Sequence, residues 1–67
     1  MAIGTVKFFD AVKGFGFIAP ESGEKDVFVH ISAVQNSGMD TLSDGQRVSF
    51  EVVMERGRPA ASDLKAV

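Results

Sequence analysis

Two short stretches set the pattern of the chain. In Lys13-Gly14-Phe15-Gly16-Phe17-Ile18, the alternation of a strand puts Phe15 and Phe17 on one side and Gly14, Gly16 and Ile18 on the other. In Val27-Phe28-Val29-His30-Ile31, Phe28 and His30 share a side opposite the aliphatic set Val27, Val29 and Ile31. With the aliphatic sets lining a core, the rings of Phe15, Phe17, Phe28 and His30 gather on the outer face of one sheet. The inverse placement, with Phe15 and Phe17 inward, also fits the period, because Phe is more often core than surface. Two features favour the outward one. Turning the rings inward would leave the glycines outside, whereas a glycine within a strand often marks a barrel bend or close backbone approach. His30 also makes the Phe28 side the less suited of the two to burial. A cluster of exposed rings is costly unless something binds it, and flat rings that tolerate any sequence suit unpaired bases.

The remaining pattern supplies three more strands. Gly4 to Asp10 is rich in β-branched and aromatic residues and reads as the first. Strict alternation there sends Phe8 inward with Val6 and Phe9 outward. Asp10-Ala11-Val12-Lys13 leaves room for a turn. The second strand, Gly14 to Ala19, ends at Pro20, and Glu21-Ser22-Gly23-Glu24-Lys25 has the composition of a hairpin turn. The third strand is Asp26 to His30. Ile31-Ser32-Ala33-Val34 reads as a single helical turn capped by Ser32, followed by a long loop from Gln35 to Leu42. Asp44-Gly45 then turns the chain into Arg47 to Met54, where Val48, Phe50, Val52 and Met54 form the predicted core face. Glu55 to Pro59 reads as a loop, and Ala60 to Val67 as a weak final strand carrying Leu64. Five short strands separated by close turns predict an all-β protein, a small antiparallel barrel whose closure protects its edges.

Sixty-seven residues allow one domain, spanning 1–67, with a thin core, since a chain of this size buries only about 60% of its unfolded surface. There is no cysteine to staple it. The start, Met1-Ala2-Ile3-Gly4-Thr5, reads as no signal peptide, and no run has the length of a membrane span, so a cytoplasmic location is the expectation. The net charge of −2 weighs against a partner held mainly through phosphates. Its distribution softens that. Lys7 and Lys13 flank the first aromatic motif, Arg56 and Arg58 lie close together, and Glu21, Glu24, Asp40 and Asp44 fall in predicted turns. The mode implied is stacking first, with charge second.

Catalytic chemistry finds no footing in the sequence. One histidine without cysteine falls short of the three or four N/S ligands that zinc takes, so no metal and no cofactor are expected. Nothing points to a serine activated by His30 and oriented by a third group. The acids are not paired for acid–base work, and Gly14-Phe15-Gly16 lacks the later glycine and following helix of a phosphate-cradling loop. The expectation is a binding protein rather than an enzyme.

Lys7-Phe8-Phe9-Asp10, Lys13-Gly14-Phe15-Gly16-Phe17-Ile18, Asp26-Val27-Phe28-Val29-His30 and Gly45-Gln46-Arg47-Val48-Ser49-Phe50 together resemble, in order and spacing, the bacterial cold-shock proteins. The resemblance covers essentially the whole chain. It implies a five-stranded oligonucleotide-binding (OB-fold) barrel and binding of single-stranded RNA and DNA with low sequence specificity. It further implies an RNA chaperone that affects transcription and translation, often under cold stress, and a monomer without membrane or small-molecule partners. The RNA-recognition-motif fold has a similar Lys-Gly-Phe-Gly-Phe run, but there it follows the second aromatic motif and comes with two helices.

Carried over by position, the resemblance makes Phe15, Phe17, Phe28 and His30 stacking residues and Lys7 and Lys13 backbone contacts. Phe8 stands where the family usually has an exposed Trp, which conflicts with its inward parity and implies a bulge or strong twist nearby. Ile31 replaces a usual Phe, Met39 a usual aromatic and Asp10 a usual Asn. The order of arginine and glycine before Pro59 is shifted, so either Arg58 or Arg56 takes the family's contact. The predicted nucleic-acid-binding set is therefore Lys7, Phe8, Lys13, Phe15, Phe17, Phe28, His30, Ile31, Met39 and Arg58. Two readings from other classes compete. A protein-interaction barrel gripping a Pro-rich peptide suits the negative charge but does not explain the paired motifs. A structural role in a larger assembly is the other.

Overall fold

The computed structural model describes residues 2–67. Five strands and one short helix follow one another as β1 (Ala2–Asp10), β2 (Phe15–Pro20), β3 (Val27–His30), α1 (Ile31–Asn36), β4 (Arg47–Glu55) and β5 (Arg58–Ala66). The strands close into a barrel in the order β1-β2-β3-β5-β4, with β4 returning to β1. All pairings are antiparallel except β3 with β5, which meet in parallel at Phe28 and Ala60. This is the all-β barrel that the strand pattern predicts.

Inside lie Val6, Ile18, Val27, Val29, Val34, Leu42, Val48, Phe50, Ala61 and Leu64, with Phe50 the largest fully buried side chain. Gly16 is buried opposite Phe9, so the glycine of β2 faces inward and Phe15 and Phe17 face out. An added methyl at Gly16 would run into the Phe8 carbonyl oxygen and reach within 2.8 Å of the Phe9 Cα. The glycine is what lets β1 lie this close.

The bulge implied near Phe8 is present. Val6 pairs with Ile18 but Phe8 pairs with Phe17, so β1 carries one extra residue at Lys7. Beyond it the parity of β1 is reversed. Phe8 emerges on the Phe17 side, and Phe9 turns back to pack against the core.

A second bulge overturns part of the predicted core. Val48 and Phe50 are buried, but Val52 and Met54 are 48% and 69% exposed. Ser49 pairs with Lys65 and Glu51 with Ser62, so β5 has one residue too many opposite Phe50. Asp63 takes it up in a left-handed conformation, φ 50°. The Leu64 N–H, out of the ladder there, donates to the Ser37 hydroxyl at 2.8 Å. Past this point β5 still buries Ala60 and Ala61, while the facing residues of β4, Val52 and Val53, are exposed.

The predicted loop from Glu55 to Pro59 is also shorter than expected. Glu55 pairs directly with Arg58, leaving Arg56 and Gly57 as a two-residue turn with φ of 51° and 82°. Two positive φ values are the signature of the hairpin turn whose twist matches the strands it joins.

After β3 the chain forms a six-residue helix rather than a single turn, and its cap is His30, not Ser32. The Ser32 amide donates to His30 Nδ1 at 3.1 Å. The helix is held by Val34, which is fully buried. Among the described residues no helix is long and apolar enough to cross a membrane.

Candidate nucleic-acid interface

The β2–β3 ladder pairs Phe15 with His30 and Phe17 with Phe28, so four rings from two strands occupy adjacent places on one outer face. The Lys7 bulge adds a fifth from β1. Ring centroids lie 5.7 Å apart for Phe8 and Phe17, 5.9 Å for Phe17 and Phe28, and 6.1 Å for Phe15 and Phe28. Phe28 and His30 follow at 6.4 Å. The row is therefore continuous from Phe8 to His30. Edge-on and offset contacts of this kind hold aromatic side chains in place while leaving ring surface to solvent. Phe8 and His30 are exposed, and Phe15, Phe17 and Phe28 half-buried.

The turn before β2 is fixed by Asp10. Its carboxylate accepts from the amides of Val12 and Lys13 at 2.9 and 3.0 Å, and its carbonyl from Gly14 at 2.7 Å. Such side-chain-to-backbone bonds are the ordinary use of Asp or Asn in a turn. They leave the Lys13 side chain exposed. Gly14 in turn accepts from the Ile31 amide at 2.9 Å, which joins this turn to the start of α1 and seats Ile31 beside Gly14. Lys7, exposed on its bulge, pairs with Asp26 at 3.1 Å across the mouth of the β2–β3 loop.

At the far end, the Arg58 guanidinium lies over Phe28, 4.9 Å from the ring centroid. Of the two arginines, Arg58 makes the ring contact. Arg56, on the turn, lines the cleft next to it. That cleft, about 530 Å³, is bounded by Phe28, His30, Ser32, Glu55, Arg56, Arg58 and Ala60.

Six of the ten predicted residues are brought together, Phe8, Phe15, Phe17, Phe28 and His30 as the row and Arg58 over Phe28; Lys7 and Lys13 are exposed on the bulge and the turn, and Ile31 lies half-buried beside Gly14. Met39 is placed differently, its half-buried side chain packing against the core cluster. Sequence reasoning missed Glu55 and Ser32 as cleft residues. Reading Arg56-Gly57 as a two-residue turn would have put Glu55 opposite Arg58 and found the first of them. Among the described residues no group of three or more His, Cys, Asp or Glu is arranged to hold a metal ion.

The surface is thus a row of rings bordered by cations, with one acid at its end. The family model of the 'Cold-shock' DNA-binding domain matches residues 2–67. Among individual relatives, the chain is 56% identical to the probable cold shock protein y4cH of Sinorhizobium fredii, over 98% of this chain and 99% of that protein. It is 53% identical to the cold shock-like protein CspE of Escherichia coli K12, over 96% and 93% of the two chains. It is 51% identical to the probable cold shock protein A of Mycolicibacterium smegmatis over the full length of both. With a barrel of the expected topology and a match of this extent, the chain belongs to the cold-shock DNA-binding domain family, a family of nucleic-acid-binding proteins.

Proposed function

We propose that this protein binds single-stranded RNA and DNA with low overall sequence specificity, stacking successive bases on the row from Phe8 to His30. The observation that carries this reading is the continuity of that row on one outer face, with ring-to-ring spacings of 5.7 to 6.4 Å. A duplex keeps its bases stacked on one another and offers such a row nothing to stack on, so the row selects unpaired strands. Lys7 and Lys13 take backbone phosphates. The Lys7–Asp26 pair is exposed on both sides, and an exposed pair of that kind is worth little, so Lys7 exchanges Asp26 for a phosphate at small cost. Ile31 extends the apolar border beside Gly14, and Met39 reaches the strand only where it passes over the loop after α1.

Binding that favours unpaired bases traps RNA with its secondary structure melted. The protein accordingly acts as a monomeric cytoplasmic RNA chaperone, affecting transcription and translation and serving in the cold-stress response. It needs no cofactor and performs no catalysis. The test is an anisotropy titration of a labelled single strand and a duplex of equal length, with an RNA hairpin bearing a fluorophore and quencher at its ends alongside. Strong preference for the single strand and dose-dependent opening of the hairpin are expected. Equal affinity for duplex and single strand would overturn the reading.

A further inference from the structure

The cleft at the Arg58 end of the row has an odd composition for a place that meets a polyanion. It holds two guanidinium groups, an imidazole and a hydroxyl, but also the carboxylate of Glu55. Among the described residues the ion pairs are Lys7–Asp26 and Arg47–Glu21, so Glu55 is tied to neither arginine beside it. The two-residue turn fixes the arrangement. Glu55 and Arg58 are cross-strand partners, and Arg58 is committed to the face of Phe28. A carboxylate here repels a phosphate and welcomes a group that donates hydrogen bonds.

From these observations we infer that the cleft is a base-selecting subsite that prefers guanine, with Glu55 as the residue that determines the preference. The inference rests on the single-strand reading above. A base stacked at the Phe28 end presents its Watson–Crick edge to the cleft wall, the edge by which unpaired bases are read. Guanine offers two adjacent donors there, N1–H and the N2 amino group, which match the two oxygens of one carboxylate. Its O6 and N7 are acceptors, the pair that arginine commonly reads, and Arg56 lines the same cleft. Cytosine and adenine offer one amino group each. Uracil and thymine place carbonyl oxygens on both sides of a single N3–H, and those lone pairs oppose the carboxylate. The order expected is guanine first, adenine and cytosine next, uracil and thymine last.

His30 is set to contribute as well. Its Nδ1 accepts from the Ser32 amide at 3.1 Å, and Ser32 Oγ lies 2.9 Å from the same nitrogen. With Nδ1 engaged as an acceptor, the neutral ring carries its proton on Nε2. That proton is a donor for the base or its phosphate, while Glu55 remains the discriminating acceptor.

The test uses a labelled oligothymidine of seven nucleotides and a set of variants with a single guanine, adenine or cytosine scanned through each position. With the unaltered protein, one position is expected to respond to guanine with affinity about five- to tenfold higher than to thymine, the lower end of what a bidentate base contact gives, since the cleft is open to water. In Glu55→Gln that advantage should fall to twofold or less, while affinity for plain oligothymidine stays level or rises. Glu55→Ala, which carries neither carboxylate nor amide, should do the same and shows that the glutamine amide is not masking the result. Tight oligothymidine binding with no guanine-responsive position, or a guanine preference that survives both variants, overturns the inference and leaves the single-strand reading standing. Failure to bind oligothymidine at all overturns that reading instead.

Discussion

Gly16→Ala is the change that most directly probes how the ring row is built. The added methyl has no room. It would clash with the Phe8 carbonyl oxygen and stand 2.8 Å from the Phe9 Cα, against the ~3.5–4.0 Å of an ordinary carbon contact. Both obstacles are backbone atoms of the bulged strand, so no side chain can swing away, and β1 must separate from β2. Overpacking of a tight site costs about 1–3 kcal/mol, and a backbone obstacle belongs at about 3 kcal/mol. At ~0.05–0.15 kcal/mol per residue, this chain has roughly 3–10 kcal/mol of stability to lose. A loss of that size lowers Tm by ~12–24 °C in a domain of 60–100 residues. Gly23→Ala is the control. Gly23 has φ 85° and open space around the added methyl, so only the left-handed backbone is penalised, by about 1–2 kcal/mol. Thermal melts followed by far-ultraviolet circular dichroism compare the two. The close-approach argument is refuted if Gly16→Ala melts no lower than Gly23→Ala.

Three further predictions follow from the same geometry. Phe8→Trp combined with Ile31→Phe enlarges the row at both borders and should tighten binding of a labelled oligonucleotide. One added stacked base is worth ~1–3 kcal/mol, and unchanged affinity would refute the ring-count argument. With two to four phosphates engaged, log affinity should fall with log salt at a slope of roughly −1.5 to −3, and a slope steeper than about −5 would show that charge dominates. Met54→Ser, on the exposed end of β4, should change stability by less than ~0.5 kcal/mol, whereas Val48→Ala empties core space and should cost at least ~1 kcal/mol. Equal losses in denaturant titrations would contradict the exposed placement of Met54.

The sequence carried most of this architecture because its patterns are local. The Gly16 position, the aliphatic side of Val27 and Val29, and the turn at Asp10 can all be read within a few residues of themselves. What it hid were two irregularities written in residues that do not advertise them. Asp63 takes a left-handed bulge where glycine is the usual signal, and beyond it the core burial passes to Ala60 and Ala61 of β5, so the alternation through Val52 and Met54 read as core where both are exposed. Arg56 occupies the first centre of a tight turn where Asn or Asp is expected, so Glu55, Arg58 and Pro59 read as loop rather than as the paired ends of two strands. The Phe8 bulge was foreseen only through family resemblance, since the parity of β1 pointed the other way. The His30 cap was missed because histidine is an unusual capping residue and Ser32 a common one.

The central claim is that the rings themselves bind unpaired bases. The chain has neither Trp nor Tyr, so the label belongs on the nucleic acid. The decisive measurement titrates fluorescent oligothymidine with the unaltered protein and with Phe15→Ala/Phe28→Ala, whose fold is first checked by circular dichroism. Two stacking rings at ~1–3 kcal/mol each predict a folded double variant whose affinity is lower by at least about thirtyfold. A folded double variant that binds as tightly as the original would place the nucleic acid on some other surface.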